Sequence, residues 1–154
     1  MVLSMTNSSL ILLVEDSPGD VRLMKEAFRA ANESIRLQVA NDGVEAMAFL
    51  RREGIHAKAD RTDLILLDLN MPRMDGRQVL AEIKKDPGLK AIPTVILTTS
   101  DADEDVAVSY RLHANCFLTK PVALDEFEAL VKSINVFWMT MAELPPHEEE
   151  GHLA

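Results

Sequence analysis

The sequence predicts an α/β fold with a single five-stranded parallel sheet that is doubly wound, with helices on both faces. Short apolar runs at 10–14, 35–39, 64–67, 93–97 and 116–118 indicate buried strands, and a segment with helical spacing follows each run. Strand and helix therefore alternate five times, which requires right-handed crossovers between parallel strands. All five strands then end at the same edge of the sheet, where their polar residues should meet.

The size and charge of the chain limit its class. It has 154 residues, enough for one domain with a full core, and a net charge of −9 from 16 basic and 25 acidic residues. This balance argues against a nucleic-acid partner, which needs a basic surface. No apolar run can cross a bilayer, so we expect a cytoplasmic protein with no membrane partner. We expect a flexible segment over 1–9, the folded domain over 10–142 and an acidic, disordered tail over 143–154.

The first strand ends on two acids, Glu15 and Asp16, and a helix follows at once. Ser17 is placed as its N-cap and Pro18 at its first helical position, where a missing backbone donor is harmless. The second strand leads through a turn into a helix that ends near Arg52. A polar stretch without periodicity follows over 53–62, and we expect an exposed loop there.

The third strand is the centre of the predicted fold. Its four apolar residues indicate burial on both faces, yet the strand ends abruptly on Asp68. The turn residues Asp75 and Gly76 lie shortly after it, and a helix follows over 77–85. Asp68 therefore lies at the carboxyl end of a central strand, where open α/β sheets bind their ligands.

The fourth strand ends on Thr98 and the fifth leads to Lys120, with a helix over 101–113 between them. A long helix over 124–142 completes the predicted domain. Both Thr98 and Lys120 carry hydrogen-bond donors, and the topology places them on the edge that holds the acids. The sequence therefore predicts one polar site built from four different strands.

The predicted site has the composition of a metal-assisted phosphoryl site. Glu15, Asp16 and Asp68 would repel one another, and the single charge of Lys120 does not balance them. Hard oxygen ligands suit Mg²⁺, which commonly completes its shell with a phosphate oxygen. Asp68 can then act as the nucleophile toward a phosphoryl group, while the metal, Lys120 and the Thr98 hydroxyl neutralise the developing charge.

From residue 10 to about residue 134 these motifs together resemble the receiver domain of bacterial two-component response regulators. The matching residues are Glu15-Asp16, Asp68 with Leu69-Asn70-Met71-Pro72, the Asp75-Gly76 turn, Thr98, and Lys120-Pro121. The resemblance implies the flavodoxin-like receiver topology. It also implies that Asp68 is the phosphoacceptor, that a histidine kinase is the phosphodonor, and that the chain signals through a changed protein-binding surface without being an enzyme in the usual sense.

The resemblance also assigns roles to single residues. It implies that Asp16, Asp68 and the backbone carbonyl of Asn70 hold Mg²⁺, and that Glu15 assists through a metal-bound water. It implies that Thr98 is the switch hydroxyl and that Lys120 binds the phosphoryl group. Phe117 stands where the family carries a rotating aromatic side chain, so we expect it to be part of the switch.

A narrower resemblance concerns the input signal. The loop over 53–62 and the stretches over 14–20 and 114–120 look like the stand-alone regulators that are paired with cyanobacterial phytochrome kinases. This similarity implies a light-regulated histidine kinase as the phosphodonor. No single residue shows that link directly.

Two other functions are compatible with an aspartate after a parallel strand in a fold of this kind. A phosphatase of the haloacid dehalogenase type also attacks phosphate with an aspartate after a parallel strand, but it needs a second aspartate two residues later. This chain has Asn70 there, and an amide cannot donate the required proton. A receiver-like module that binds a partner without being phosphorylated is the third interpretation, and the complete set of pocket residues argues against it.

The last turns of the final helix predict a protein interface. Phe137, Trp138 and Met141 make this part apolar on nearly every side, and only one side can pack on the sheet. We therefore predict a two-fold homodimer in which this helix pairs with its counterpart. The alternative is that the acidic tail folds back over these side chains.

Overall fold

The computed structural model describes residues 9–147. The strands and helices, in chain order, are β1 (Leu10–Val14), α1 (Pro18–Ala31), β2 (Arg36–Ala40), α2 (Gly43–Leu50), β3 (Leu64–Leu67), α3 (Gly76–Lys85), β4 (Thr94–Thr98), α4 (Asp103–Arg111), β5 (Cys116–Thr119) and α5 (Leu124–Ile134). A short 3₁₀ turn, Gly54–His56, lies in the predicted loop before β3, and a π-helical turn, Asn135–Met141, continues α5.

The five strands form one parallel sheet in the order β2-β1-β3-β4-β5, which confirms the predicted fold class. Every residue of β1, β3 and β4 is buried, because helices cover both faces of the sheet. Helices α1 and α5 pack on one face, and α2 and α3 pack on the other. The uninterrupted apolar runs of these strands follow from this two-sided burial.

Side-chain caps fix where the helices begin, and thereby where the site residues lie. The Ser17 hydroxyl accepts a hydrogen bond from the Asp20 amide at 3.3 Å, and Pro18 is the first helical residue, as predicted. Asp75 and Gln78 form a reciprocal capping box at the start of α3. The turn predicted around Asp75 is therefore confirmed.

The last helix differs from the prediction of one continuous helix over 124–142. Its α-helical part ends at Ile134, and the amide of Ala142 donates to the Phe137 carbonyl at 2.7 Å, five residues back, as in a π-helix. This wider turn changes the direction in which successive side chains point. Trp138 and Met139 consequently both pack against the core between α5 and α1.

The ends of the chain are described only in part. Residues 143–147 continue past the π turn, and a ring nitrogen of His147 lies 2.6 Å from an oxygen of Asp63, just before β3. The expectations for a flexible segment over 1–9 and for a disordered tail otherwise concern 1–8 and 148–154, which lie outside the described residues. Within 9–147, no helix has the length and apolarity needed to cross a membrane.

Candidate functional site

Three acids that were predicted to meet do lie together at the carboxyl edge of the sheet. Glu15 and Asp16 follow β1 and Asp68 follows β3, and these two strands are hydrogen-bonded neighbours. One carboxylate oxygen from each of the three acids lies within 4.8 Å of the others. Glu15 and Asp68 are buried, with 3% and 7% of their surface exposed, whereas Asp16 is exposed. Oxygens so close together provide a ligand set that a divalent cation could use.

Lys120 brings a buried ammonium group to the same edge. Its Nζ atom lies 2.6 Å from Glu15 Oε1, 2.7 Å from Asp20 Oδ2 and 3.7 Å from Asp68 Oδ2. The Lys120 amide also donates to the Thr98 carbonyl at 2.7 Å, which ties the ends of β4 and β5 together. The ammonium group therefore contacts acids from β1 and α1 and lies just beyond hydrogen-bond distance of Asp68.

The charges of this cluster do not balance. Burial raises the pKa of Glu15 to about 7, although the hydrogen bond from Lys120 opposes this rise. Burial alone would lower the pKa of Lys120, but its hydrogen bonds to Asp20 and Glu15 outweigh burial and raise it. Lys120 thus stays charged beside several carboxylates, and the site as a whole favours a further positive charge.

Thr98 presents a buried hydroxyl group at the end of β4. The side chain is fully buried, and its Oγ1 atom has no hydrogen-bond partner within 9–147. Buried hydroxyl groups are normally hydrogen-bonded, so an unpaired one needs a reason. A hydroxyl held at the predicted site without a partner can donate to an anion that enters there.

Asn70 and Gly76 shape the loop that carries Asp68. The Asn70 amide donates to Asp68 Oδ1 at 3.4 Å, while the Asn70 side chain is exposed. Gly76 lies against the backbone of Asp68, since an added Cβ atom would stand 2.1 Å from the Asp68 carbonyl oxygen. Sequence reasoning had assigned Gly76 only to a turn. Any larger residue there would displace the backbone that positions Asp68.

Asp20 is the site residue that the sequence did not reveal. It lies in the first turn of α1, and its carboxylate contacts Lys120 directly. The sequence places Asp20 four residues after Asp16, near the start of α1, and at the end of the stretch over 14–20. That spacing alone does not indicate that a lysine from β5 reaches Asp20.

The predicted switch residues lie beside a second polar cluster. Arg77 and the Ser100 hydroxyl each contact Asp105 at 2.5 Å, which links α3, the loop after β4, and α4. The Phe117 amide donates to the Tyr110 hydroxyl at 3.2 Å, and the Phe117 side chain is partly buried on the side of α2 and α3. The segments that follow Thr98 are therefore held by a few side-chain contacts near the surface.

The three predicted interface residues lie on the π turn, on an element separate from the acid site. Phe137 and Met141 are 53% and 69% exposed, whereas Trp138 is partly buried against the core. The Phe137 and Trp138 rings meet edge to face, with their centres 5.1 Å apart. The apolar surface predicted at the end of the last helix is thus exposed in part.

Comparison with known proteins gives one consistent family. The sequence model of one protein family, the response regulator receiver domain, matches residues 11–132. Response regulator Rcp1 of Synechocystis sp. is 48% identical to the chain over 136 residues, which cover 88% of this chain and 92% of that protein. These matches span the sheet, the acid cluster, Thr98 and Lys120.

Solved structures agree with the sequence comparison. The phosphorylated cyanobacterial phytochrome response regulator RcpA superposes with a TM-score of 0.87 at 50% identity, over 90% of this chain and 99% of that chain. The Mn²⁺-bound form of response regulator Rcp1 superposes with a TM-score of 0.85 at 48% identity, again over 90% and 99%. The fold of the chain is therefore similar to that of proteins solved in phosphorylated and metal-bound forms.

Proposed function

Since this chain belongs to the family of response regulator receiver domains, we propose that Asp68 accepts a phosphoryl group from a histidine kinase. As a receiver domain, the chain is a signalling protein of two-component systems and is related to phytochrome response regulators, as its sequence motifs predicted. The only chemistry that we propose for it is its own phosphorylation and the hydrolysis of its own aspartyl phosphate. We also propose that residues 10–142 form the receiver domain.

The observation that best supports this proposal is that Asp68 lies close both to two other carboxylates and to a buried ammonium group. One carboxylate oxygen of Asp68 lies within 4.8 Å of one from Glu15 and one from Asp16. Lys120 Nζ lies 3.7 Å from Asp68 Oδ2. A carboxylate used as a nucleophile needs nearby positive charge to offset the charge of the incoming phosphoryl group. Both a cation site and a lysine are available beside this one carboxylate.

The site suits a divalent cation because its donors are carboxylate and carbonyl oxygens. We propose that Mg²⁺ is held by Asp16, Asp68 and the Asn70 carbonyl, and that Glu15 acts through a metal-bound water. When bound, this ion would neutralise charge on the phosphoryl oxygens. An oxygen of Asp68 forms the bond to phosphorus while the bond from phosphorus to the donor breaks, and the donor leaves with that electron pair. Lys120 supplies a fixed positive charge next to the new phosphoryl oxygens.

The unpaired hydroxyl of Thr98 supports its role as the switch. Once Asp68 carries a phosphoryl group, Thr98 can donate to one of its oxygens, which draws the loop after β4 toward the site. Phe117, on the neighbouring strand, would then change its packing. A surface that includes α4 and β5 would thereby exist in two states, with phosphorylation shifting the balance between them.

The related proteins suggest the source of the phosphoryl group. The name of the superposed structure RcpA describes it as a cyanobacterial phytochrome response regulator. We propose by analogy that the kinase that phosphorylates this chain is a light-regulated phytochrome histidine kinase. Transfer from such a kinase under red or far-red light, compared with an unrelated kinase, would test this assignment.

One mass measurement tests the central proposal against both alternatives. The protein is incubated with acetyl phosphate and Mg²⁺, and its intact mass is followed together with phosphate release. A receiver should show one phosphoryl adduct, which Asp68→Asn should lack. Continuous turnover of acetyl phosphate without a stable adduct would favour a phosphatase, and no adduct in the folded protein would favour an unphosphorylated binding module.

We propose a homodimer through the π turn, with Phe137, Trp138 and Met141 at its centre. The exposed fractions of Phe137 and Met141 support this assignment, because apolar side chains that adjoin one another on a surface usually mark an interface. Sedimentation should show a dimer that Phe137→Asp disrupts, whereas Ile55→Asp, on a fully separate exposed side chain, should not. A monomer at high micromolar concentration, with and without phosphorylation, would rule the interface out.

A further inference from the structure

Asp20 makes a direct contact with the buried ammonium group of Lys120. Its Oδ2 atom lies 2.7 Å from Lys120 Nζ, and its side chain is 30% exposed while that of Lys120 is 5% exposed. A charged hydrogen bond to a buried ammonium restricts where that ammonium can lie. Asp20 therefore influences the site through Lys120, while its own carboxylate remains at the surface.

The position of Asp20 is itself fixed by a closed ring of hydrogen bonds. The Ser17 amide donates to Glu15 Oε2 at 3.1 Å, and the Asp20 amide donates to the Ser17 hydroxyl at 3.3 Å. Lys120 completes the ring, because its ammonium donates to both Glu15 Oε1 and Asp20 Oδ2. The N-cap of α1 thus orients Asp20 and Glu15 toward one ammonium group.

The number of donors on Lys120 shows what this ring leaves available. An ammonium group has three N–H donors, and Glu15 and Asp20 accept two of them. The third N–H donor does not reach Asp68, because the Asp68 Oδ2 atom lies 3.7 Å from Lys120 Nζ, beyond hydrogen-bond distance. A phosphoryl oxygen attached to Asp68 would have room to accept this third donor.

Asp20 also differs from the other acids near Lys120. Glu15 and Asp68 both belong to the group of carboxylates that could hold a metal ion, and Asp20 does not. A bound cation would neutralise part of the negative charge of Glu15 and Asp68, which weakens their electrostatic attraction for Lys120. Asp20 is then the remaining carboxylate that keeps the ammonium in place.

We propose that Asp20 is a positioning residue for phosphoryl transfer: its carboxylate anchors Lys120 so that one ammonium donor stays directed at the phosphoryl group on Asp68. This inference rests on the proposed function of Asp68. In the transfer from acetyl phosphate, the phosphorus–oxygen bond to acetate breaks as the bond to Asp68 forms, and acetate leaves with the electron pair. Asp20 takes no part in either bond and acts only by holding Lys120.

The first test compares the phosphorylation rates of wild type, Asp20→Ala and a matched control. The control is Asp125→Ala, since Asp125 is also in the first turn of a helix at this edge. Within 9–147 its carboxylate accepts a hydrogen bond only from the neighbouring Glu126 amide. With acetyl phosphate and Mg²⁺, Asp20→Ala should be slower by roughly tenfold, as expected for loss of a charged hydrogen bond. Asp125→Ala should match wild type, and the affinity of Asp20→Ala for Mg²⁺ should stay within about twofold of wild type.

A double-mutant cycle with Lys120 separates positioning from a general structural effect. If Asp20 acts through Lys120, then Asp20→Ala should slow the Lys120→Ala protein no further. Asp20→Asn retains an acceptor oxygen and should fall between wild type and Asp20→Ala. Affinity for beryllofluoride, a mimic of the bound phosphoryl group, gives the same cycle if phosphorylation of Lys120→Ala is too slow to time.

Three outcomes would overturn the inference: a wild-type rate for Asp20→Ala, an equal loss in the presence and absence of Lys120, or an equal loss in Asp125→Ala. These are distinct from failure of the proposed function, which would appear as a wild-type protein that gains no phosphoryl group at all. Melting curves of each variant verify that the compared proteins are folded. Because the Asp20 side chain is partly exposed, its replacement should leave the fold intact.

Discussion

The two edges of the sheet differ in how deeply their charged side chains are buried. At the carboxyl edge, Glu15, Asp68 and Lys120 are buried, and carboxylates outnumber ammonium groups. At the amino edge, acids and bases pair at the surface, as in the 2.6 Å contact of Arg36 with Asp60, whose side chains are 40% and 52% exposed. The two side chains of this pair are thus solvated, whereas Glu15, Asp68 and Lys120 are buried close together.

This difference in burial indicates where charged residues reduce the stability of the fold and are present for function. Exposed ion pairs change the free energy of unfolding by about 0–1 kcal/mol, because water screens them. Buried charges cost far more unless a partner neutralises them. An unbalanced buried cluster is therefore expected only where a ligand supplies the missing charge, and the carboxyl edge is such a place.

The largest effect should come from removing the ammonium group of Lys120 from the buried cluster. Lys120→Ala leaves Glu15 and Asp68 buried without their cation, so its free energy of unfolding in metal-free buffer at pH 8 should fall by about 3–5 kcal/mol. Added Mg²⁺ should recover part of this loss, because it replaces the missing positive charge. Urea denaturation with and without Mg²⁺ measures both effects.

Lys84 provides the matched control for that experiment. It is also removed from full solvation, since its Nζ atom donates to the carbonyls of Lys90 and Ile92 and to Asn115 Oδ1 at 3.0–3.1 Å. Among the residues that the structure describes, it pairs with no carboxylate. Lys84→Ala should be destabilising independently of Mg²⁺. If Lys120→Ala and Lys84→Ala responded equally to Mg²⁺, the two regions would not differ as described.

The next effect concerns pH and Glu15. Its pKa is about 7 in the folded protein and 4.5 in an unfolded chain, so the folded state holds the proton more tightly. The stabilising contribution of this proton is full below pH 4.5 and is lost as the pH rises through about 7, by about 3 kcal/mol at most. In metal-free urea denaturation across this range, Glu15→Gln should therefore lose less stability with rising pH than wild type. Parallel curves for the two proteins would contradict the burial of an unbalanced Glu15.

A smaller effect should distinguish two buried threonines on the same strand. The Thr94 hydroxyl donates to the Ile92 carbonyl at 3.2 Å, whereas the Thr98 hydroxyl has no partner within 9–147. Thr94→Val should lower the free energy of unfolding by about 1 kcal/mol, while Thr98→Val should leave it unchanged or raise it slightly. Thr98→Val should nevertheless lose the conformational response to phosphorylation. A loss of stability in Thr98→Val equal to that in Thr94→Val would show that its hydroxyl already has a partner.

The smallest effect is expected at the amino edge. Arg51 lies 2.9 Å from Glu82, and the two side chains are 37% and 43% exposed. Arg51→Ala should lower the free energy of unfolding by less than about 1 kcal/mol, and raising the salt concentration should reduce the difference further. A larger loss that salt does not change would mean that this edge is not simply a set of solvated ion pairs.

The strands and the main site could be predicted because burial on both faces leaves a clear mark in the sequence. A run such as that of β3 is apolar without interruption, and the first polar residue after it, Asp68, marks the edge of the sheet. Parallel topology then brings together Glu15, Asp68 and Lys120 although they lie far apart in the chain. Parallel strands joined by right-handed crossovers were sufficient for this part of the prediction.

The remaining features depend on distances that a linear pattern does not contain. The contact of Asp20 with Lys120 requires the spacing between α1 and the end of β5, and the close approach of Gly76 to Asp68 requires the path of a loop. The change to π-helical bonding after Ile134 accompanies the packing of Trp138 on the core. Neither the contact of Asp20 with Lys120 nor the π turn has a periodicity or motif of its own.

Mapping the phosphoryl group to a peptide tests the central claim most directly. The protein is phosphorylated with acetyl phosphate in the presence of Mg²⁺, the aspartyl phosphate is trapped by borohydride reduction, and the digested peptides are sequenced by mass spectrometry. The modification should be found at Asp68 alone and should disappear when Mg²⁺ is chelated before the reaction. Modification of another acid, such as Asp63 at the amino edge, with Asp68 unmodified, would contradict the account.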